Sequence, residues 1–266
     1  MATILITGSS DGIGRHTAEI LAADGHRVTV HARNERRAED ARKAVPQAHD
    51  VIVGDLASLT QTRELAARAV EAGPFDVVIH NAGVGGGQSA PVVTEDGLER
   101  IFQVNSLAPY LLTALMPTPG RLIYLTSGLE ADGRVRLDDA QWQNRPWDGM
   151  QAYSDSKLYD VMLAFAVARL WPGTLSNAVD PGWIRTRLGG PDATDDLPEG
   201  AETQVWLATS DEPAATVTGH YFKRRTSLPA NPQAYDEGLQ EQLLALCADL
   251  TGVQLPAVGD AAPRVR

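Results

Sequence analysis

Thr7-Gly8-Ser9-Ser10-Asp11-Gly12-Ile13-Gly14 follows directly on the apolar run ATILIT at residues 2–7. It leads into a stretch whose apolar residues, Ile13, Ala18, Ile20 and Leu21, recur at helical spacing until Gly25. Glycines let the backbone turn tightly and approach a pyrophosphate, and the N-terminus of the following helix aims free N–H groups and its dipole at an anion. Tight turns alone also need glycine, so a glycine triad by itself says little. Its place between a strand and a helix makes Gly8, Ser9, Ser10, Gly12, Ile13 and Gly14 candidates for holding a dinucleotide.

Working outward, strand-like runs recur at 27–31 (RVTVH), 50–53, 76–80 (DVVIH), 121–126 (RLIYLT), 175–179 (LSNAV) and 217–222. Helical patterns lie between them, near 36–44, 59–72, 95–115 and 151–170, with a late one at 232–250. Strands separated by helices of this length imply right-handed crossovers and a parallel sheet covered on both faces. The expected fold is therefore α/β: a doubly wound Rossmann arrangement with a mostly parallel, seven-stranded sheet. No repeat or linker divides the chain, so residues 1–255 are read as one domain and 256–266 (PAVGDAAPRVR) as a mobile tail.

Bulk properties agree with such a domain and exclude others. Of 266 residues, 43% are hydrophobic and 21% charged, which are ordinary globular values. A formal net charge of -11 without a basic block argues against nucleic acid or an anionic membrane as a partner. The single cysteine, Cys247, excludes an internal disulfide and fits a reducing, cytoplasmic setting. It sits in an apolar pattern with Leu243, Leu244, Leu246 and Leu250 and reads as a packed thiol. No apolar run approaches the ~18 residues of a membrane span, and none has the form of a signal peptide. The acidic run 192–199 has no matching partner residues nearby and reads as a solvated loop within a variable segment, 183–200.

With these motifs the chain resembles the short-chain dehydrogenase/reductase family, whose fingerprint is TGxxxGIG. The resemblance runs from Thr3 to about Phe222. Asp55-Leu56 matches the pair that the family places beside the adenine. Asn81-Ala82-Gly83 matches the turn closing the fourth strand, and Pro181-Gly182, with Ile184 and Thr186 behind it, the motif after the sixth. Asn105, Ser127, Tyr153 and Lys157 fall on the catalytic positions. The resemblance implies a nicotinamide cofactor, a small carbonyl or alcohol substrate, and a homodimer or homotetramer assembled through the fourth and fifth helices.

The chemistry of the four residues can be reasoned directly. Tyr153 and Lys157 are four apart on an expected helix and project from one face. A free tyrosine titrates near pH 10, and a neighbouring ammonium with an oxidised nicotinamide favours its phenolate. Such a tyrosine can protonate a carbonyl oxygen or take the proton of an alcohol. Lys157 would also hold the nicotinamide ribose, and Ser127, at the end of a strand, the substrate oxygen. The resemblance assigns Asn105 to a water relay behind Lys157.

Cofactor choice is read at the end of the second strand. An NAD-selective site puts a carboxylate there, but this chain has Ala32 followed by Arg33 and Asn34. Nothing repels a 2′-phosphate and Arg33 can grip it, so NADP(H) is expected over NAD(H), which remains possible. His31 could contribute if protonated, although its strand position favours packing. Three features depart from the family pattern. Asp11 stands where many NADP-dependent members carry a basic residue, and Asp180 stands where histidine is common. Ser127 and Tyr153 are 26 residues apart, about twice the compact spacing. The long segment 129–151, with Trp142 and Trp147, resembles the retinol-dehydrogenase-like branch. Both its ends are pinned at the chemistry, so it is expected over the mouth of the site, its tryptophans either packing the loop or touching substrate. Alternatives to an oxidoreductase are a non-catalytic NADP(H)-binding regulator or scaffold, and an epimerase or dehydratase on the same fold.

Overall fold

The computed structural model describes residues 1–85 and 87–257. Strands β1 (Thr3–Ile6), β2 (Arg27–Ala32), β3 (Asp50–Val53), β4 (Val77–His80), β5 (Arg121–Leu125), β6 (Leu175–Asp180), β7 (Tyr221–Lys223) and β8 (Thr226–Leu228) form one sheet in the order β3-β2-β1-β4-β5-β6-β7-β8. β1 to β7 pair in parallel, and β8 runs antiparallel to β7. The chain leaves β1 toward β2 and β3, then crosses back to β4 on the other side. This reversal opens a crevice beyond the carboxyl ends of β1 and β4.

Residue alternation along the central strands feeds two cores. Ile4, Ile6, Val77, Ile79, Ile123 and Leu125 face one side, with Ala18 and Leu21 of α1 (Gly12–Ala23) and Trp206 and Leu207 of α7 (Leu197–Thr209). Leu5, Val78, Leu122 and Tyr124 face the other, against α3 (Leu59–Ala72), α5 (Ala108–Leu115), α6 (Gly149–Leu170) and α8 (Glu237–Thr251). Cys247 is fully buried there, and burial pushes its thiol up, as a packed thiol requires. Among the described residues no helix is long and apolar enough to cross a membrane.

Several expectations need correction. The sheet has eight strands, not seven. Gly219 turns the chain at φ +75°, so β7 starts at Tyr221 rather than Val217, and a two-residue turn of Arg224 and Arg225, both at positive φ, adds β8. Two arginines carry none of the Asn-Gly or Gly-Gly signals of such a hairpin. The helix expected from residue 95 starts at α4 (Arg100–Phe102), because Thr94–Glu99 closes a turn around Gly97. α7 occupies part of the stretch that reads as a loop. Pro198 opens it in the first turn, where its missing N–H costs nothing. The acidic run preceding it is paired by cations: Asp195 with Arg224 (3.1 Å), from the distant β7–β8 turn, and Asp196 with Arg185 (2.7 Å) of the same segment. Of the expected tail, Pro256 accepts a hydrogen bond from Trp171 Nε1, and 258–266 lie outside the described residues.

Candidate active site

The glycine-rich turn is fixed by what it touches. Gly8 has φ +62°, and a side chain there would meet Ala82 Cα at 2.7 Å. A Cβ on Gly14 would lie 2.7 Å from the Gly8 carbonyl oxygen. Asn81 locks the same turn from β4, donating from Nδ2 to the carbonyls of Thr7 (2.8 Å) and Gly8 (3.0 Å), while Thr7 Oγ1 accepts from the N–H of Asn81 and Ala82. Ser9 is bonded to β1 and to β2. Its hydroxyl donates to Ile6 O and accepts from His31 N, and its own N–H goes to His31 O. The one O–H of Ser9 is thus committed to Ile6 O.

His31 is packed, not a phosphate ligand. Its Nδ1 accepts from Gly8 N (2.9 Å), and Nε2 lies 2.7 Å from Gly54 O. Burial lowers its pKa, which keeps the ring neutral with the proton on Nε2. Arg33 is exposed, with no partner among the described residues. Asn34 caps α2 (Glu35–Ala44), accepting from Arg37 N (3.0 Å). Asp11 is not an isolated negative charge. Arg37 of α2 reaches it at 3.0 Å and Arg187 at 3.5 Å. Burial would raise its pKa, but the Gly12 N–H and the two guanidiniums outweigh that and hold the carboxyl below its usual range. Arg37 thus brings to the turn the cation that sequence reading missed. Asp55 accepts from Ala57 N, and Leu56 is buried in the core, so any contact to an adenine from it is by backbone.

Beyond the carboxyl ends of β4, β5 and β6 lies a cavity of about 840 Å³. Of the residues named from the sequence, Ile13, Asn81, Gly83, Ser127, Tyr153, Lys157, Pro181, Gly182, Ile184 and Thr186 line it. Gly8, Gly12 and Gly14, with Ser10, Ala82 and the Arg33 and Asp55 pairs, lie outside that lining. Gly12 packs toward Thr186, where a Cβ on the glycine would lie 3.4 Å from Thr186 Cγ2, and this joins the turn to the cavity floor.

Tyr153 and Lys157 share the inner face of α6, with Lys157 Nζ 5.8 Å from the Tyr153 ring centroid. Lys157 donates to Leu125 O (2.9 Å) at the end of β5 and to Asp160 Oδ2 (2.7 Å). Burial alone would depress the Lys157 pKa, but Asp160 and Tyr153 more than offset it, and the net shift is upward. Thr126 Oγ1 donates to Lys157 O and ties β5 to α6 beside the site. Ser127 caps a 3-10 turn (Gly128–Asp132), its Oγ accepting from Leu129 N at 3.3 Å.

Asn105 lies behind the cavity in a π-helical turn, Gln103–Leu107, between α4 and α5. Its side chain accepts from Val84 N (2.8 Å) and donates to Val84 O and Ser156 Oγ. A Cβ on Gly83 would be 3.6 Å from both Asn105 Oδ1 and Lys157 Nζ, so these two groups flank one point.

The long segment reaches the mouth only at its ends. Leu129 and Met150 line the cavity and Trp142 and Trp147 do not. Trp142 is buried against Ile101 and Ala152, with the Arg145 guanidinium 3.5 Å above its ring centroid, and Trp147 packs edge-on to it and donates to Gln88 O. Leu129 and Met150 of the long segment, Asp180, and Trp183, Arg187 and Leu188 of the variable segment 183–200 also line the cavity. Gln88 and Lys223 line it too and were not singled out in the sequence; Lys223 is the last residue of β7.

Residues 2–196 match the family model described as short chain dehydrogenase. A short-chain dehydrogenase of Penicillium rubens, chyC, is 41% identical over 97% of this chain and 100% of its own length. Human retinol dehydrogenase 13 is 34% identical over 96% of this chain and 86% of its own. Among solved structures, a blue fluorescent protein from a metagenomic library, in complex with NADPH, superposes with a TM-score of 0.64 at 26% identity, over 83% of this chain and 95% of that one. Fold, site and relatives agree: the chain is an oxidoreductase of the short-chain dehydrogenase/reductase family, on its retinol-dehydrogenase-like branch.

Proposed function

We propose that this protein moves a hydride between NADP(H) and a carbonyl or alcohol carbon, with Tyr153 as the acid/base. The observation that carries the reading is the convergence of Tyr153, Lys157 and Ser127 on one cavity, from α6 and the end of β5, beside the turn that Gly8 and Asn81 fix. The residues fit a dinucleotide. Gly83 keeps the space between Lys157 and Asn105 open, and Lys157 retains one N–H beyond its two bonds for a ribose hydroxyl. When bound, the nicotinamide supplies or accepts the hydride.

In reduction, Tyr153 gives its phenolic proton to the carbonyl oxygen, and Ser127 Oγ–H donates to the same oxygen as charge gathers there. The Lys157 ammonium faces the oxyanion left on Tyr153. Oxidation runs the same proton path backwards. Leu129, Met150, Trp183 and Leu188 are exposed and line the cavity, so the substrate presents an apolar body with the carbonyl turned inward. NADP(H) is preferred because Ala32 leaves no carboxylate at the end of β2 while Arg33 is exposed, with no partner among the described residues. A homodimer or homotetramer is the assembly the family suggests.

Tyr153→Phe tests the reading, since it keeps the ring and removes the proton. Carbonyl-dependent NADPH oxidation should fall by about 10²–10⁴-fold, with NADPH affinity by fluorescence titration nearly unchanged. Turnover within about tenfold of the parent would remove Tyr153 from the acid/base role.

A further inference from the structure

We propose that Asp160 is a positioning residue for Lys157: its buried carboxylate anchors the ammonium in place and keeps it charged, leaving one N–H to turn into the cavity. This rests on the catalytic reading of Lys157 given above.

Two carboxylates of α6 make the case by contrast. Asp155 is satisfied several times over, by Arg134 N, Gln151 Nε2 and Arg145 Nη2, and it clamps the long segment to the helix. Asp160 has one partner, Lys157, through Oδ2 at 2.7 Å. Its other oxygen, Oδ1, is buried with no hydrogen-bond partner among the described residues. A buried carboxylate with an orphaned oxygen costs stability, and an apolar residue would pack there without that cost. Among the described residues its carboxylate bonds to the lysine of the site alone, which places its effect on that lysine.

Among the described residues, Lys157 is the charged group that acts on Asp160. On α6 itself the neighbouring titratable group is Tyr153. From β5, Tyr124 feels the carboxylate, and its hydroxyl is bonded to Thr113 of α5. Thr113 in turn meets His80 Nε2 of β4, whose pKa burial lowers to about 3, so that ring is neutral. Burial of Lys157 favours the neutral amine, and Asp160 is the first influence set against it. The carboxylate is itself pushed up to about 7 by burial, with Lys157 pulling the other way. Without Asp160, the largest influence holding the ammonium charged against burial is removed, and that of Tyr153 remains.

Asp160→Asn keeps an acceptor oxygen at the same place and removes the charge. In carbonyl reduction followed by NADPH absorbance, the alkaline limb of the kcat profile should move about one pH unit or more toward lower pH. A merely structural role would lower kcat evenly and move only the thermal midpoint, so a profile that superimposes on the parent's after scaling overturns the proposal. A shift of the alkaline limb to higher pH overturns it equally. Asp160→Ser, smaller and neutral, serves the same test if the asparagine variant does not fold. Lys157→Met, assayed alongside, separates the two readings: parent-like turnover there defeats the catalytic role of Lys157, whatever the Asp160 variants show.

Discussion

On the β1 side of the crevice the turn from Thr7 to Gly14 is held by backbone against backbone, Gly8 on Ala82 and Gly14 on the Gly8 carbonyl, with Asn81 bonded across. On the β5–β6 side the segments leaving Ser127 and Asp180 are long, and side chains hold them. Asp139 accepts from the N–H of Gln143 and Asn144, Arg145 bridges Asp139 and Asp155, and Trp142 and Trp147 fill the space beneath. Where main-chain contact decides, few residues can serve and a short motif announces them. Where ion pairs and ring packing decide, many combinations would serve equally, and no motif marks them. The first region can then keep one cofactor geometry while the second varies the rim that a substrate meets.

Paired truncations in the long segment should divide it into anchor and rim, with the largest effect at the anchor. Trp142→Ala should cost about 3–5 kcal/mol of stability, since it empties a buried ring site and strips the Arg145 guanidinium of its face. Relative activity across carbonyl compounds of different size should stay flat in that variant. Met150→Ala, at the exposed rim, should do the reverse, changing stability by only about 0.5 kcal/mol while altering that relative activity. Denaturant unfolding beside a substrate panel reads both. A selectivity change at Trp142 with full stability would erase the division.

A smaller effect is expected on the β1 side, at the exposed Arg33. Arg33→Ala should weaken NADPH binding by about 10–150-fold, corresponding to ~1.5–3 kcal/mol for a charge-assisted bond, and leave NADH nearly unaffected. Ala32→Asp should tilt preference further toward NADH. Equal losses for both cofactors in the Arg33 variant would move the discriminator elsewhere, with Arg37 beside Asp11 the next residue to test.

What could be read from the chain follows the same division. The α/β class with its mostly parallel sheet was legible from the alternation of strands and helices, and the glycine turn, Asn81, Ser127, Tyr153 and Lys157 could be picked out as candidates because each depends on its own type and its distance from a strand end. The turn of Arg224 and Arg225 was not, since its positive φ angles are imposed by the β7–β8 pairing rather than by residue preference. α7 was hidden by the acidic run before it, one of whose partners, Arg224, lies on a distant turn. Ser9 looked available because a serine in a glycine loop often is, and only the fold shows its hydroxyl bonded to Ile6 and His31. Asp160 carries no signal at all in a run of helical residues until Lys157 curls back onto it.

Hydride transfer itself is tested most directly by following the label. NADPH deuterated at C4 is incubated with the protein and a panel of apolar ketones and aldehydes, and the products are analysed by mass spectrometry. The expected result is an alcohol with one deuterium on the carbon that bore the carbonyl, formed by the parent and lost in Tyr153→Phe. NADPH that binds but is never consumed, with no deuterated alcohol from any member of the panel, would contradict the assignment and leave the site a cofactor-holding scaffold.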